Sequence, residues 1–169
     1  ISIMHDFGKV VVVAPEGPQS GMGHAITINA TLRCDKVTID DGEQTEYAVS
    51  GTPVDCVKLA VNQILDRKPN LCVSGINHGS NSSINVIYSG TMSAAVEGAL
   101  EGIPSIGFSL LDFSHDADFS EGEKYIRKIT QSVLEYGLPE GVCLNVNIPK
   151  TKENKKIKGI KVCRQAKAN

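Results

Sequence analysis

Lys9-Val10-Val11-Val12-Val13-Ala14 sets four valines in a row and is followed at once by the turn-forming Pro15-Glu16-Gly17-Pro18. β-branched side chains suit a pleated strand. The run has no polar alternation, so such a strand must be buried on both faces. That is the condition of a strand in a parallel sheet with helices packed on each side. Pro15 to Gly23 is then a loop by composition. On the other side, Ile1 to Phe7 reads as the last turns of a helix, with Gly8 as its stop. A further strand–helix unit is expected before it.

Downstream, Ala25 to Asn29 and Lys36 to Ile39 are expected strands. Asp41-Gly42 is a hairpin signal, with Glu43 to Val49 returning. Thr52, Pro53 and Asp55 are the cap, first position and capping-box partner of a helix. Val54, Val57, Val61, Ile64 and Leu65 share one face of it. Leu71 to Val73 is a buried strand, Ser74 to Ser89 a long loop, Thr91 to Gly102 a helix rich in small residues, and Ile103 to Leu110 a strand. Ser120 and Glu123 suggest a capping box for a helix through Tyr136, stopped by Gly137. Val142 to Ile148 is a strand, Lys150 to Lys156 a solvated basic connector, and Ile157 to Cys163 a last strand. Strands alternating with helices predict an α/β fold with a mainly parallel sheet, right-handed crossovers and a β-hairpin excursion.

Composition removes several classes of function. The 169 residues are enough for one domain with a sizeable core. A formal net charge of −2 and the absence of Trp argue against a nucleic-acid polymer as partner. No apolar run reaches the roughly 18 residues of a membrane span, and no signal-peptide pattern opens the chain. The five cysteines are odd in number and form no CxxC pair. They read as buried free thiols of a reducing, cytoplasmic protein.

Ligands in open α/β sheets bind outside the carboxyl ends of the strands. The loops there are Gln19-Ser20-Gly21-Met22-Gly23, Ser50-Gly51-Thr52-Pro53 and Ser74-Gly75-Ile76-Asn77-His78-Gly79, the last extended by Ser80-Asn81. They are dense in groups that present N–H, hydroxyl and amide to an ion. Tyr88-Ser89-Gly90-Thr91 ends the long loop at a helix start, where Gly allows close backbone approach and the N–H groups suit phosphate. Plain capping by Ser89 or Thr91 accounts for the same residues. The Asn77 amide oxygen suits a hard cation, or it ties the loop backbone by local hydrogen bonds. His5, His24, His78 and His115 share no spacing, and only His78 lies in the long loop. Gly21-Met22-Gly23 is followed by no helix, which argues against a dinucleotide fingerprint. No GxxxxGK[ST], HExxH or GxSxG is present.

Four stretches together resemble the SurE family of nucleotidases and acid phosphatases. They are Val13-Ala14-Pro15 with Gln19-Ser20-Gly21; Gly51 to Cys56; Val73 to Gly79; and Tyr88-Ser89-Gly90-Thr91 continued by Ala94 to Gly98. The order and spacing match over about residues 9 to 110, and Leu144 to Pro149 is similar as well. The resemblance implies a Rossmann-like core holding one divalent cation per subunit, Mg²⁺ or Mn²⁺. It implies a metal-dependent phosphomonoester hydrolase acting on nucleoside monophosphates, a 5′-nucleotidase with 3′-nucleotides as an open second specificity. Carried over residue by residue, Ser20 and Asn77 are the metal ligands, and Asn77, Ser89, Gly90 and Thr91 are the catalytic set. The family's pair of adjacent aspartates maps to nothing here and is expected upstream of Ile1. Asp40-Asp41, in the hairpin turn, are not substitutes for it. Ser82 and Met92 stand where members often carry Gly and Val. The family's C-terminal arm is also unmatched, and the full-length protein is expected to be a homodimer or homotetramer.

Two other classes compete with the enzyme. Without the aspartate pair the chain would be a non-catalytic nucleotide-binding module. A pure assembly scaffold would leave the polar loops unexplained.

Overall fold

Two three-stranded sheets lie side by side in the computed structural model, which describes residues 1–39, 42–114, 116–151 and 156–166. The first holds β1 (Val11–Pro15), β2 (Cys34–Val37) and β3 (Thr45–Val49), in the order β1-β3-β2. β1 runs parallel to β3, with Val11 opposite Thr45, and β2 pairs antiparallel with β3, from Cys34–Val49 to Val37–Glu46. The expected hairpin excursion is therefore present. Asp40 and Asp41 lie outside the described residues.

The second sheet is wholly parallel. It comprises β4 (Cys72–His78), β5 (Ser105–Leu110) and β6 (Cys143–Ile148), with β5 in the middle. Every residue of β5 is buried. Helix α4 (Ser120–Tyr136) supplies Ile126 and Val133 to a core completed by Ile106, Phe108, Leu110 and Ile148. Helix α3 (Gly90–Leu100) packs through Met92 and Ala95 over Gly107. Small residues let α3 approach closely. A Cβ on Gly98 would collide with the Ser105 hydroxyl and stand 3.0 Å from Cys72 Cβ. Gly98→Leu should therefore lower the free energy of unfolding by about 1–3 kcal/mol, the usual range for overpacking, measured by urea unfolding.

Helix α2 (Pro53–Leu59) begins as its sequence dictates. Asp55 N–H donates to Thr52 Oγ1 at 3.1 Å, Thr52 N–H donates back to Asp55 Oδ2 at 2.9 Å, and Pro53 takes the first helical position. The helix continues as a wide turn over Ala60–Ile64. Only Val54 of the predicted apolar face is buried; Val57, Val61, Ile64 and Leu65 are half-buried.

The cause is a cavity of about 1160 Å³, lined by Val11–Ala14 of β1, Cys72–Ser74 of β4, and Val57, Val61 and Leu65. The two sheets share no hydrogen bonds among the described residues, and β1 and β4 each turn an open edge to this space. The valine run is consequently half-buried, not buried on both faces as its sequence predicts.

Other expectations are corrected. Ala25–Asn29 is not a strand: Ala25 O accepts from Thr52 Oγ1 and Thr27 N–H donates to the Asp55 carboxylate, so side chains take up the backbone bonds a ladder would need. β4 runs on to His78, through positions read as loop. Ser120 is the first residue of α4 and not its cap; its N–H donates to Asp118 Oδ1 at 2.9 Å. Ile157–Cys163 forms no strand, and Ile157 O instead accepts from the Tyr125 hydroxyl. The helix at the start, α1 (Ser2–His5), and the Gly137 stop, at φ 72°, are as predicted. All five thiols are free, but only Cys56 is buried; Cys72 and Cys143 are half-buried, and Cys34 and Cys163 are exposed. No described helix is long and apolar enough to cross a membrane.

Candidate functional site

Close backbone approach joins the loop after β1 to the start of α3. Gly23 has φ 57°, and a Cβ there would stand 2.8 Å from Ile87 O; its N–H donates to Tyr88 O at 3.2 Å. Glycine alone fits this conformation and spacing comfortably. A Cβ on Gly90 would stand 3.4 Å from Gln19 O, so the two loops also meet there. Glu97 of α3 holds the arrangement from within. It is buried, accepts from His24 Nε2 at 2.7 Å and from Lys58 Nζ at 3.0 Å. Burial pushes its carboxyl up, but Lys58 and His24 outweigh that and hold it below its ordinary value.

Asn77 is placed by the backbone of β4. The register slips between Ser74 and Asn77, a bulge that re-aims the following side chains. Gly75 has φ 114°, and a Cβ there would run into the Phe108 carbonyl. Asn77 Nδ2 donates to Gly79 O at 3.1 Å, so its Oδ1 is the atom a hard cation would take. Ser20, Asn77, Ser89, Gly90 and Thr91, spread over 72 positions of sequence, all line this cavity.

At the third loop, Ser89 is the cap of α3: its Oγ accepts from Met92 N–H at 3.1 Å, and its carbonyl accepts from Ser93 N–H. The hydroxyl thus has the plain capping role. Gly90 and Thr91 hold the first helical N–H groups, which have no intrahelical acceptor. His78 also lines the cavity, with its ring edge-on to Phe119 at 5.2 Å. His5 contacts Gln44, and His115 lies outside the described residues.

A partly buried amide network was not anticipated from sequence. Asn81 N–H donates to Asn147 Oδ1, Asn81 Nδ2 donates to Ser109 Oγ at 2.6 Å, and Asn145 Nδ2 donates to Asn81 O. It anchors the loop after Gly79 to the ends of β5 and β6. The legible signal was Asn145 and Asn147, two amides on one face of an otherwise apolar strand.

The Ser20 hydroxyl and Asn77 amide are neutral, hard oxygen donors of the kind Mg²⁺ and Mn²⁺ accept. They suit such a cation in kind and fall short in charge. Among the described residues no group of three or more His, Cys, Asp or Glu could hold a metal.

A family model described as "Survival protein SurE" matches residues 1–169. The chain is 70% identical to the 5′-nucleotidase SurE of Flavobacterium johnsoniae, covering 99% of this chain and 64% of that protein. It is 66% identical to the 5′-nucleotidase SurE of Flavobacterium psychrophilum, covering 99% of this chain and 65% of that protein. The crystal structure of the SurE protein from Aquifex aeolicus superposes with a TM-score of 0.86 at 44% identity, covering 98% of this chain and 65% of that one. The chain thus spans less than two thirds of the length of these relatives.

Proposed function

The chain belongs to the SurE family, and on that premise we propose that it carries most of the active site of a divalent-metal-dependent hydrolase of nucleoside monophosphates. The observation that supports this reading best is that Ser20, in the loop after β1, Asn77, near the carboxyl end of β4, and the Ser89–Thr91 turn all line one cavity. Gly90 and Thr91 N–H groups, at the positive end of α3, bind phosphoryl oxygens and orient the ester. The Thr91 hydroxyl adds a further donor there. Ser20 and Asn77 would hold the cation, which when bound would neutralise phosphoryl charge and make water more acidic. Glu97, through His24, keeps the Ser20 loop against the phosphate end.

The same reading assigns the space between β1 and β4 to a further strand–helix unit upstream of Ile1. One strand there would pair both open edges and cover the valines of β1. The family's aspartate pair, at its carboxyl end, would supply the missing charge beside Ser20 and Asn77. The full-length polypeptide on this reading is a cytoplasmic homodimer or homotetramer.

The test is release of inorganic phosphate from nucleoside monophosphates by the full-length polypeptide with Mg²⁺ or Mn²⁺ added. Release establishes the hydrolase. Nucleotide binding without release would replace it with the non-catalytic module, and neither binding nor release would remove both.

A further inference from the structure

Phe113 is 81% exposed, yet its surroundings are built rather than loose. It lies just beyond the carboxyl end of β5, in a turn held on both sides. Asp112 Oδ1 accepts from Ser114 N–H at 3.0 Å and from Ser114 Oγ at 3.0 Å. Lys150, beyond the end of β6, donates to the same carboxylate at 3.0 Å. The hydrogen bonds from Ser114 and Lys150 hold the Asp112 carboxyl down to about 2, so this brace stays charged.

The ring lies against Gly79, where a Cβ would stand 2.7 Å from Phe113 Cζ. Gly79 is buried with φ 97°, so the position takes glycine for its backbone and for the ring above it. Phe113 lines the same cavity as Asn77, Ser80 and Asn81, with the phosphate-binding turn on its wall. A solvent-facing aromatic beside the Asn77 and Asn81 amides, in a cavity otherwise lined largely by apolar side chains, can take a flat partner laid on its face.

We propose that Phe113 is a specificity-determining residue, a stacking platform for the nucleobase of the bound nucleotide. This rests on the nucleotidase reading above and extends it to the other end of the substrate. The phosphoryl group sits at Ser89–Thr91, and the base lies on Phe113. Every base has a π-face, so the platform favours nucleotides over base-free phosphate esters without selecting among bases.

The experiment compares adenosine 5′-monophosphate with ribose 5-phosphate as substrates of the full-length polypeptide in Mn²⁺. The readout is the ratio of their kcat/KM values. Phe113→Ala should lower that ratio about tenfold, the usual scale for one lost base–aromatic stack. Phe113→Tyr should keep it, and Phe113→Leu, apolar without a π-face, should behave like alanine. An unchanged ratio in Phe113→Ala, or a full ratio in Phe113→Leu, would overturn the platform while leaving the nucleotidase standing. Equal losses on both substrates with a lowered melting temperature would show that protein covers the ring, and would also overturn it. If the unaltered polypeptide hydrolyses neither ester, the nucleotidase reading fails and the platform falls with it.

Discussion

In excess chelator, phosphate release from adenosine 5′-monophosphate by the full-length polypeptide is expected to fall to background, and Asn77→Ala should reproduce most of that loss at limiting Mn²⁺. The expected deficit for Asn77→Ala is on the order of 100-fold, since losing even an outer partner of a bound metal costs 10–100-fold. Added Mn²⁺ should recover a large part of it, because on the proposed reading the amide oxygen contributes only part of the affinity and the family's aspartate pair still supplies the charge. Thr91→Ala provides the contrast. It removes a hydroxyl in the first turn of α3, beside the N–H groups of Gly90 and Thr91, where the proposed reading has phosphoryl charge bind. Its deficit should not respond to metal. Phosphate release as a function of Mn²⁺ concentration, for the three proteins, separates these outcomes. Full activity in excess chelator would end the metal mechanism. Equal rescue of both variants would end the division of roles.

Asp55→Ala should destabilise the fold by about 3 kcal/mol or more, as expected when a buried charged acceptor is removed from its donors. Asp55 is 4% exposed and accepts from Thr27 N–H, from Thr27 Oγ1 at 2.6 Å and from Thr52 N–H at 2.9 Å. Alanine leaves those donors without their acceptor, undoes the capping box of α2, and frees the segment that continues from Ser20. Burial pushes the Asp55 carboxyl up, but the hydrogen bonds from Thr27 and Thr52 outweigh it and hold the group below its ordinary value of 3.8. A depressed folded value means the contribution is complete above 3.8 and is lost as pH falls through the folded value. Urea unfolding at neutral pH and at successively lower pH should show the wild type losing stability on acidification. Asp55→Ala should show a shallower fall. Parallel pH curves for the two proteins would mean that the carboxylate is not ionised and bonded as the structure places it.

What local chemistry could specify, the sequence specified by itself. Thr52, Pro53 and Asp55 form a capping box because all its atoms lie within one helical turn. Gly137 ends α4 because its backbone reaches φ 72° without a Cβ penalty. The parallel α/β architecture follows from apolar strands alternating with helices, and the four stretches that resemble the SurE family were legible from their order and spacing. The tertiary structure decided where bonds cross between segments. Ile26 and Ile28 alternate as a strand would, yet they are 50% and 78% exposed, because their segment bonds to Thr52 and Asp55 side chains and not to a neighbouring strand. Ile157–Cys163 carries strand-like residues but pairs with no strand among the described residues. Glu97 reads as a solvated helix residue until Lys58 and His24, 39 and 73 positions away, converge on it. Asn81 meets Asn145 and Asn147 only because β6 lies beside β5. A propensity acts within a few residues, whereas burial and buried hydrogen bonds depend on which distant segments the packing brings together.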